Sequence, residues 1–387
     1  MVLLAFGLSG CASGPPLGVL DPVALPADAS PIPIFVATTR AREEIEPARM
    51  FSGGRAKTVD HGELVISVPP THQAGQIEWP SRAPGDPSKN FVTAKREFLS
   101  EDGFIEGIRK AIAKRPPDQR DVLVFIHGYN TRFEDAVYRF AQIVHDSGFK
   151  GVPVLFTWPS KGELLAYPYD RESAIFSRDD LEATLLEIAT KTGARKFDVL
   201  AHSMGNMLFV EVLRQAVIRG NPRFNGKLDQ VMLAAPDIDI DVFRRQMRVI
   251  APKRIPITIF VSKDDKALAI SKFVWQSSDR AGAFTVQDPE LARRLEEANI
   301  TVVDLSDVKS SDSLNHGKFA ASPAVVQLIG NRLAADNGIQ GRGATLGEGL
   351  VIVGSSLGST VGSVAGGVVA APVKVLTGAT AGEIPPR

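Results

Sequence analysis

The residues most capable of chemistry lie in the stretch AHSMG at positions 201–205. A short apolar run at 197–200 precedes it and predicts a buried strand, and an apolar helical pattern follows it. A strand that turns directly into a helix around a serine is typical of a nucleophile elbow, whose tight turn admits only small residues two positions before and after the serine. Ala201 and Gly205 occupy those two positions. Ser203 is therefore the predicted nucleophile.

A serine hydroxyl is a weak nucleophile at neutral pH and needs a neighbouring base, which a carboxylate must orient. In hydrolases built on such an elbow, these groups follow one another along the chain in the order Ser, acid, His. Of the six histidines only His316 comes after Ser203, and it lies in the loop after the last predicted strand. His316 is therefore the predicted base. His202, beside the nucleophile, is predicted to pack or to form a hydrogen bond.

Three carboxylates are candidates for the group that orients this base. Asp264 and Asp265 end the predicted strand IPITIFVSKDD, and Asp237 ends the preceding one in LAAPDID. Both strands lead into loops from which a carboxylate could reach His316. Asp265 is the preferred acid, and Asp237 and Asp264 remain alternatives.

Acyl transfer also needs backbone N–H groups directed at the negative charge that develops on the carbonyl oxygen. In elbow hydrolases one donor belongs to the residue after the nucleophile, here Met204. The second comes from the loop after another strand, and the motif HGYN at 127–130 is suited to supply it. Tyr129 is the predicted second donor, with Gly128 allowing the backbone to approach closely.

The elements that would hold these groups are alternating strands and helices. Gly53-Gly54 and the segment 80–90 are predicted loops, and 159–177 is a polar connection. Strands are predicted at 34–40, 63–70, 121–130 with its loop, 152–158, 197–200, 228–239, 255–265 and 301–307, and helices at 103–114, 133–148, 178–192 and after Ser203. This alternation predicts an α/β fold with a mostly parallel central sheet and helices on both faces.

The composition excludes several classes of function. Lys plus Arg and Asp plus Glu each number 44, so no overall charge favours nucleic acid as a partner. The single cysteine allows no disulfide within the chain, and no Cys/His cluster or HExxH string indicates a metal site. No cofactor is implied, and the sequence does not predict an oligomeric state.

The two ends of the chain differ from the part between them. Residues 1–11 resemble a lipoprotein signal ending in a lipidated Cys11, although its positive n-region is missing; the alternative is a buried segment with an incidental cysteine. A Pro- and Ala-rich linker is predicted at 12–33, the catalytic domain at 34–335 and a Gly-rich tail at 336–387. In the tail, glycine recurs at every fourth position, which suits close packing of a membrane helix, and disorder is the alternative. The lipoprotein signal predicts anchoring to the bacterial cell envelope through the lipid on Cys11, with the protein facing the periplasm.

Six segments together resemble a bacterial α/β-hydrolase family of unknown function in the esterase/lipase superfamily. They are FIHGYN, FTWPS, YDRESAIFSRDDLE, AHSMGN, LAAPDID and VSKDDKALAISK, and the resemblance covers roughly residues 34–335. It implies the α/β-hydrolase fold and a triad of Ser203, Asp265 and His316, but no substrate. The function expected is hydrolysis of a small-molecule or lipid carboxylic ester through an acyl-enzyme. An acyltransferase or amidase with the same triad, and a scaffold protein without turnover, are the alternatives.

Overall fold

The part of the chain that the computed structural model describes comprises residues 15–265, 295, 297–308, 316–334 and 351–352. The predicted lipidation site at Cys11 and almost all of the Gly-rich tail at 336–387 lie outside these residues. Both therefore remain predictions. Within the described residues, no helix combines the length and the apolar character needed to cross a bilayer.

A single sheet forms the centre of the domain. Its described strands are β1 (Ser30–Arg42), β2 (Phe51–Val68), β3 (Val92–Leu99), β4 (Val122–Ile126), β5 (Val152–Thr157), β6 (Phe197–His202), β7 (Leu228–Ala234), β8 (Ile257–Val261), β9 (Ile300–Asp304) and β10 (Val351–Ile352). Their order across the sheet is β10-β9-β8-β7-β6-β4-β5-β1-β2-β3. β2 pairs antiparallel with β1 and β3, whereas the other neighbouring pairs are parallel. The predicted mostly parallel sheet is confirmed.

Helices cover both faces of this sheet. In the described residues they are α1 (Glu101–Ala113), α2 (Phe133–Ser147), α3 (Tyr167–Phe176), α4 (Arg178–Lys191), α5 (Met204–Ile218), α6 (Ile240–Ile250), α7 (Lys318–Ala321) and α8 (Pro323–Ala334). Apolar residues of α1, α3, α4, α5 and α6 pack on one face, and those of α2, α7 and α8 on the other. Successive residues of β4 alternate between these cores, Val122 and Val124 facing the first, Leu123 and Phe125 the second. Burial on both faces explains why the inner strands are continuously apolar.

The packed domain begins before the predicted boundary at Ile34. Within the segment 12–33, predicted as a linker, Val19 and Leu20 are only 1% and 0% exposed. The hydroxyl of Tyr138 donates a hydrogen bond of 2.8 Å to the carbonyl of Val19. This part of the segment is therefore a component of the fold, because its apolar side chains are buried in the core beside α2.

The structure also contains elements that the sequence patterns do not predict, namely β3, β10, α3, α6, α7, α8 and the first half of β2. Gly53, predicted as part of a loop, lies in β2, where a Cβ atom would come within 2.9 Å of the Cα atom of Lys161. Helix α3 forms inside the segment 159–177, predicted as a connection. β7 and β8 end earlier than predicted, which leaves the candidate carboxylates in the loops that follow these strands.

Candidate active site

Ser203 lies at the sharp turn between β6 and α5. Its backbone has φ 53° and ψ −121°, a conformation that residues with a Cβ atom rarely adopt. A Cβ atom on Gly205 would lie 2.4 Å from the carbonyl oxygen of His127 and 2.7 Å from that of Ile126, so only glycine fits there. The amide of Ser203 donates to the carbonyl of Ala234 at 2.9 Å. The turn is thus held between the ends of β4 and β7.

His316 lies between the serine hydroxyl and a carboxylate. Its Nε2 is 2.8 Å from Ser203 Oγ, and its Nδ1 is 2.7 Å from Asp265 Oδ2. The side chain of Asp265 is fully buried, and that of His316 is 17% exposed. A proton can therefore pass from the hydroxyl to the imidazole while the carboxylate faces the other ring nitrogen.

The two alternative acids have different partners. Asp264 accepts two hydrogen bonds from the Lys318 ammonium, at 2.7 and 2.8 Å. Burial acts to raise the pKa of Asp264, but the hydrogen bonds from Lys318 and Ser262 outweigh it and lower the pKa. Asp237 accepts a hydrogen bond of 2.9 Å from the hydroxyl of Tyr167. Among the three predicted carboxylates, Asp265 is the one that the structure brings to His316.

His202 supports the loop that carries His316. Its Nε2 lies 3.3 Å from the carbonyl oxygen of His316, and its ring packs 4.5 Å from that of Phe319. Burial, with a smaller contribution from the neighbouring His316, lowers the pKa of His202 well below its usual value. The ring is therefore neutral and can donate through Nε2, in agreement with the packing and hydrogen-bonding role predicted for it.

The loop after β4 lies directly against the nucleophile. A Cβ atom on Gly128 would be 2.8 Å from the Cβ atom of Ser203, so the close approach requires glycine. His127 Nδ1 lies 2.7 Å from the carbonyl oxygen of Gly128. Because a trans peptide directs its C=O and N–H in opposite directions, this contact turns the N–H of Tyr129 away from the His127 ring. The N–H of Met204 belongs to the first turn of α5, where amides have no partner within the helix.

The ring of His127 is fixed by its surroundings. Its Nε2 accepts the backbone N–H of Trp158 at 3.2 Å, and the two rings stack at 4.8 Å. Burial, and then the charge of Arg40, lower the pKa of His127 to about 3. The imidazole is therefore neutral, and Nδ1 carries the proton that is donated to Gly128.

Arg40 is a buried cation that sequence reasoning missed. Only 1% exposed, it donates through Nε to Thr157 Oγ1 at 2.8 Å, and through Nη1 and Nη2 to the carbonyls of Ser160 and Thr131 at 2.8 and 2.7 Å. Burial lowers its pKa to about 10. These bonds link β1 to the loops after β4 and β5. The available signal was an arginine ending the apolar run IFVATTR.

Asp170 of α3 also supports the loop after β4 and was likewise missed. Its carboxylate accepts the backbone N–H of Asn130 at 3.1 Å and that of Lys161 at 2.8 Å. Burial raises the pKa of Asp170 although these bonds act to lower it. A buried carboxylate thus joins the loops after β4 and β5.

A cavity of about 610 Å³ opens beside these groups. His316 and Gly128, both adjacent to Ser203, form part of its lining, together with the aromatic rings of Trp79, Phe125 and Phe319. The cavity is therefore of a size that accepts a small organic group, and part of its wall is apolar.

Comparison with known proteins gives one family match and several distant likenesses. The profile of a family described as alpha/beta hydrolase of unknown function (DUF900) matches residues 101–332. An uncharacterized protein of Nostoc sp. is 22% identical over 325 residues, which are 65% of this chain and 82% of that protein. Carboxyl esterase 2 of the mycorrhizal fungus Tuber melanosporum is 15% identical, with a TM-score of 0.31 over 57% of this chain and 78% of that one. An esterase of the fungus Rhizomucor miehei is 14% identical, with a TM-score of 0.31 over 79% and 83%. The family match includes Ser203, Asp265 and His316.

Proposed function

We propose that this chain, which belongs to the family of alpha/beta hydrolases of unknown function, is a serine hydrolase that cleaves carboxylic esters through an acyl-enzyme. The observation that carries the proposal is the continuous series of hydrogen bonds from Ser203 Oγ through His316 to Asp265, with lengths of 2.8 and 2.7 Å. A nucleophile, a base and an orienting carboxylate in this order are the requirements of acyl transfer to serine.

In the proposed reaction, Ser203 Oγ attacks the carbonyl carbon of the ester while His316 Nε2 takes the hydroxyl proton. The carbonyl π electrons move onto oxygen and form a tetrahedral oxyanion. When this intermediate collapses, the alcohol leaves with the proton from His316, and the acyl group stays on Ser203. Water then attacks the acyl-enzyme with His316 again as the base, which releases the carboxylic acid and restores the hydroxyl.

Asp265 has an orienting role in this scheme. By accepting a hydrogen bond from the Nδ1–H group of His316, the Asp265 carboxylate keeps Nε2 free of hydrogen and turned toward Ser203. The carboxylate also stabilises the imidazolium that forms when His316 takes the second proton. Full burial of Asp265 strengthens this interaction because water does not screen it.

The oxyanion is proposed to bind the backbone N–H groups of Met204 and Tyr129. The closeness of Gly128 to Ser203 and the bond from His127 to the Gly128 carbonyl support this assignment. Each such donor contributes about 3–4 kcal/mol to the stability of the transition state in comparable enzymes. His127, Arg40 and Asp170 act by holding this loop, and we regard them as positioning residues.

The test is covalent labelling with a fluorophosphonate together with hydrolysis of a p-nitrophenyl ester of a short acid. We expect Ser203→Ala to abolish labelling and to lower kcat by about 10⁴-fold or more, because the nucleophile is lost without a change in the core. Ser88→Ala, which removes an exposed hydroxyl, is the matched control and should behave as the wild type. Labelling or turnover that survives in Ser203→Ala contradicts the proposal.

Two further outcomes of this experiment have defined meanings. A wild-type chain that is labelled but passes the acyl group to an added alcohol or amine faster than to water is an acyltransferase. A folded wild-type chain that is neither labelled nor active is a scaffold protein without turnover. Both outcomes overturn the assignment as an ester hydrolase.

A further inference from the structure

A second group of ionisable side chains lies where the loop after β2 meets the C-terminal end of α2. Nε2 of His72 and Nδ1 of His145 lie 2.7 and 3.1 Å from the same oxygen, Oδ1 of Asp146. One ligand atom from each of these residues lies within 4.8 Å of the other two. Two imidazole nitrogens and one carboxylate oxygen therefore converge on one point.

The groups behind these atoms are arranged as they are behind metal ligands. A metal-binding histidine usually donates its other ring N–H to a carboxylate, and a metal-binding carboxylate is itself hydrogen bonded. Nδ1 of His72 lies 2.8 Å from Glu78 Oε2. The second oxygen of Asp146 accepts the backbone N–H of Gly75 at 2.7 Å and the side-chain amide of Gln142 at 2.6 Å. The side chains of His72 and Asp146 are thus held in their orientations by these hydrogen bonds without any ion.

We propose that His72, His145 and Asp146 bind a zinc ion. Two nitrogens and one oxygen are a ligand set that zinc accepts, with water in a fourth position. Tetrahedral ligands at about 2.0–2.1 Å from zinc lie about 3.3 Å apart. The two N···O separations of 2.7 and 3.1 Å therefore need to widen by about 0.6 and about 0.2 Å. The two ring nitrogens lie within 4.8 Å of each other and need to approach by at most about 1.5 Å. The side chain of His145 is 37% exposed, which gives the ion a path from solvent.

The ion would link the loop after β2, which forms part of the cavity lining, to the C-terminal end of α2. Gly75 and Trp79, which follow His72 in the same loop, line the cavity that also contains His316. Gly75 has φ +88°, and a Cβ atom there would lie 2.4 Å from the carbonyl oxygen of Ala321. The loop is therefore held between α2 and α7, and zinc at its start would stabilise this arrangement. The ion takes no part in the proposed acyl transfer.

The test uses the full chain without a histidine tag, stripped of metal with EDTA. After addition of Zn²⁺ and desalting, elemental analysis should find about one zinc per chain, and the thermal unfolding midpoint should rise with the zinc concentration, since the ion binds the folded state. His145→Ala should weaken zinc binding at least about tenfold, and because His145 is partly exposed the variant should still fold. The visible spectrum of the Co²⁺-substituted chain should indicate four-coordination.

Two more variants sharpen the test. Glu78→Gln should weaken zinc binding about 10–100-fold, because it removes the charge behind His72 but none of the three ligands. Asp86→Asn, which removes an exposed carboxylate from the connection between β2 and β3, should bind zinc as the wild type does. The proposal is overturned if the wild-type chain neither retains zinc nor changes its midpoint, or if His145→Ala binds zinc as tightly as the wild type. None of these readouts depends on ester hydrolysis, so the result is separate from the role of Ser203.

Discussion

Two histidines near one cavity differ in what faces the second nitrogen of the imidazole. In His316, Nδ1 lies 2.7 Å from a carboxylate and Nε2 lies 2.8 Å from a hydroxyl, that of Ser203. In His72, both nitrogens face carboxylates, at 2.8 and 2.7 Å. The first arrangement leaves one nitrogen free to take a proton from a neutral donor and to return it. The arrangement around His72 contains no neutral donor, so it suits an imidazole that stays protonated or one that binds a metal ion.

The surroundings of the two rings increase this difference. Burial acts to lower the pKa of His72, but the hydrogen bonds to Asp146 and Glu78 outweigh it and raise the pKa. The side chain of His72 is 5% exposed, whereas that of His316 is 17% exposed and lines the cavity. The comparison teaches that a histidine beside a carboxylate does not by itself identify a base. The partner of the other ring nitrogen determines whether the histidine can act as a base.

The largest expected effect comes from removing each histidine in turn. His316→Ala should lower kcat for ester hydrolysis by about 10⁵–10⁶-fold, because the hydroxyl of Ser203 then has no base. His72→Gln should change kcat by less than about tenfold, since its ring has no proton to take from the substrate or the nucleophile. Steady-state kinetics on both variants, with circular dichroism to verify folding, measure the contrast. Equal losses in the two variants would remove the distinction between the two histidines.

The next effect separates the three carboxylates that were candidates for the acid. Asp265→Asn should lower kcat by about 10⁴-fold, because the amide favours the wrong tautomer of the imidazole. Asp264→Asn should affect kcat by less than about tenfold and instead lower the free energy of unfolding by about 1–2 kcal/mol, since the buried Lys318 loses its carboxylate. Asp237→Asn is the control, because it changes a buried carboxylate that faces Tyr167 and not His316, and it should leave kcat nearly unchanged. A large loss of kcat confined to Asp237→Asn would move the acid to the loop after β7.

The smallest effect concerns Asp198, a buried carboxylate at the start of β6 whose Oδ2 has no hydrogen-bond partner among the described residues. Burial, and then the charge of Asp229, raise the pKa of Asp198 to about 7. Because this carboxyl is held protonated in the folded state, its contribution to stability is complete below its unfolded pKa and is lost as the pH rises through about 7.

Asp198→Asn removes this dependence on pH. Relative to the wild type, the free energy of unfolding of the variant should rise by on the order of 2 kcal/mol between pH 5 and pH 8. Urea denaturation of both chains at the two pH values measures this change. Because the difference between variant and wild type is compared at the two pH values, any effect of the amide that does not depend on pH cancels. A variant that follows the wild type at both pH values would show that the carboxyl titrates normally.

The parts of the site that the sequence predicts are those built from contiguous residues. The strand, turn and helix around Ser203 and the loop HGYN each occupy a single short stretch, so local apolar patterns and small residues suffice to predict them. The same holds for the mostly parallel sheet, whose inner strands are continuously apolar because both faces are covered. β3 and the first half of β2 lack this pattern and are not predicted, since beyond Phe51 in β2 and beyond Thr93 in β3 their side chains are partly or fully exposed and form no continuous apolar run.

The parts that the sequence leaves open depend on contacts between distant residues. Asp264 and Asp265 are neighbours with the same side chain, yet one faces Lys318 and the other His316, and no local pattern distinguishes them. The proposed zinc ligands are similar, since 74 positions separate His72 from Asp146. Arg40 reaches a partner 117 positions away. Only the folded sheet brings such groups together.

The backbone angle at Ser203 has a consequence for the history of the gene. A residue with a side chain at φ 53° costs on the order of 1–3 kcal/mol, whereas glycine adopts this conformation freely. Replacement of Ser203 by glycine should therefore make the chain more stable and, if the proposed function holds, inactive. A duplicated copy of this gene, released from selection on its chemistry, could then gain stability by losing its hydroxyl.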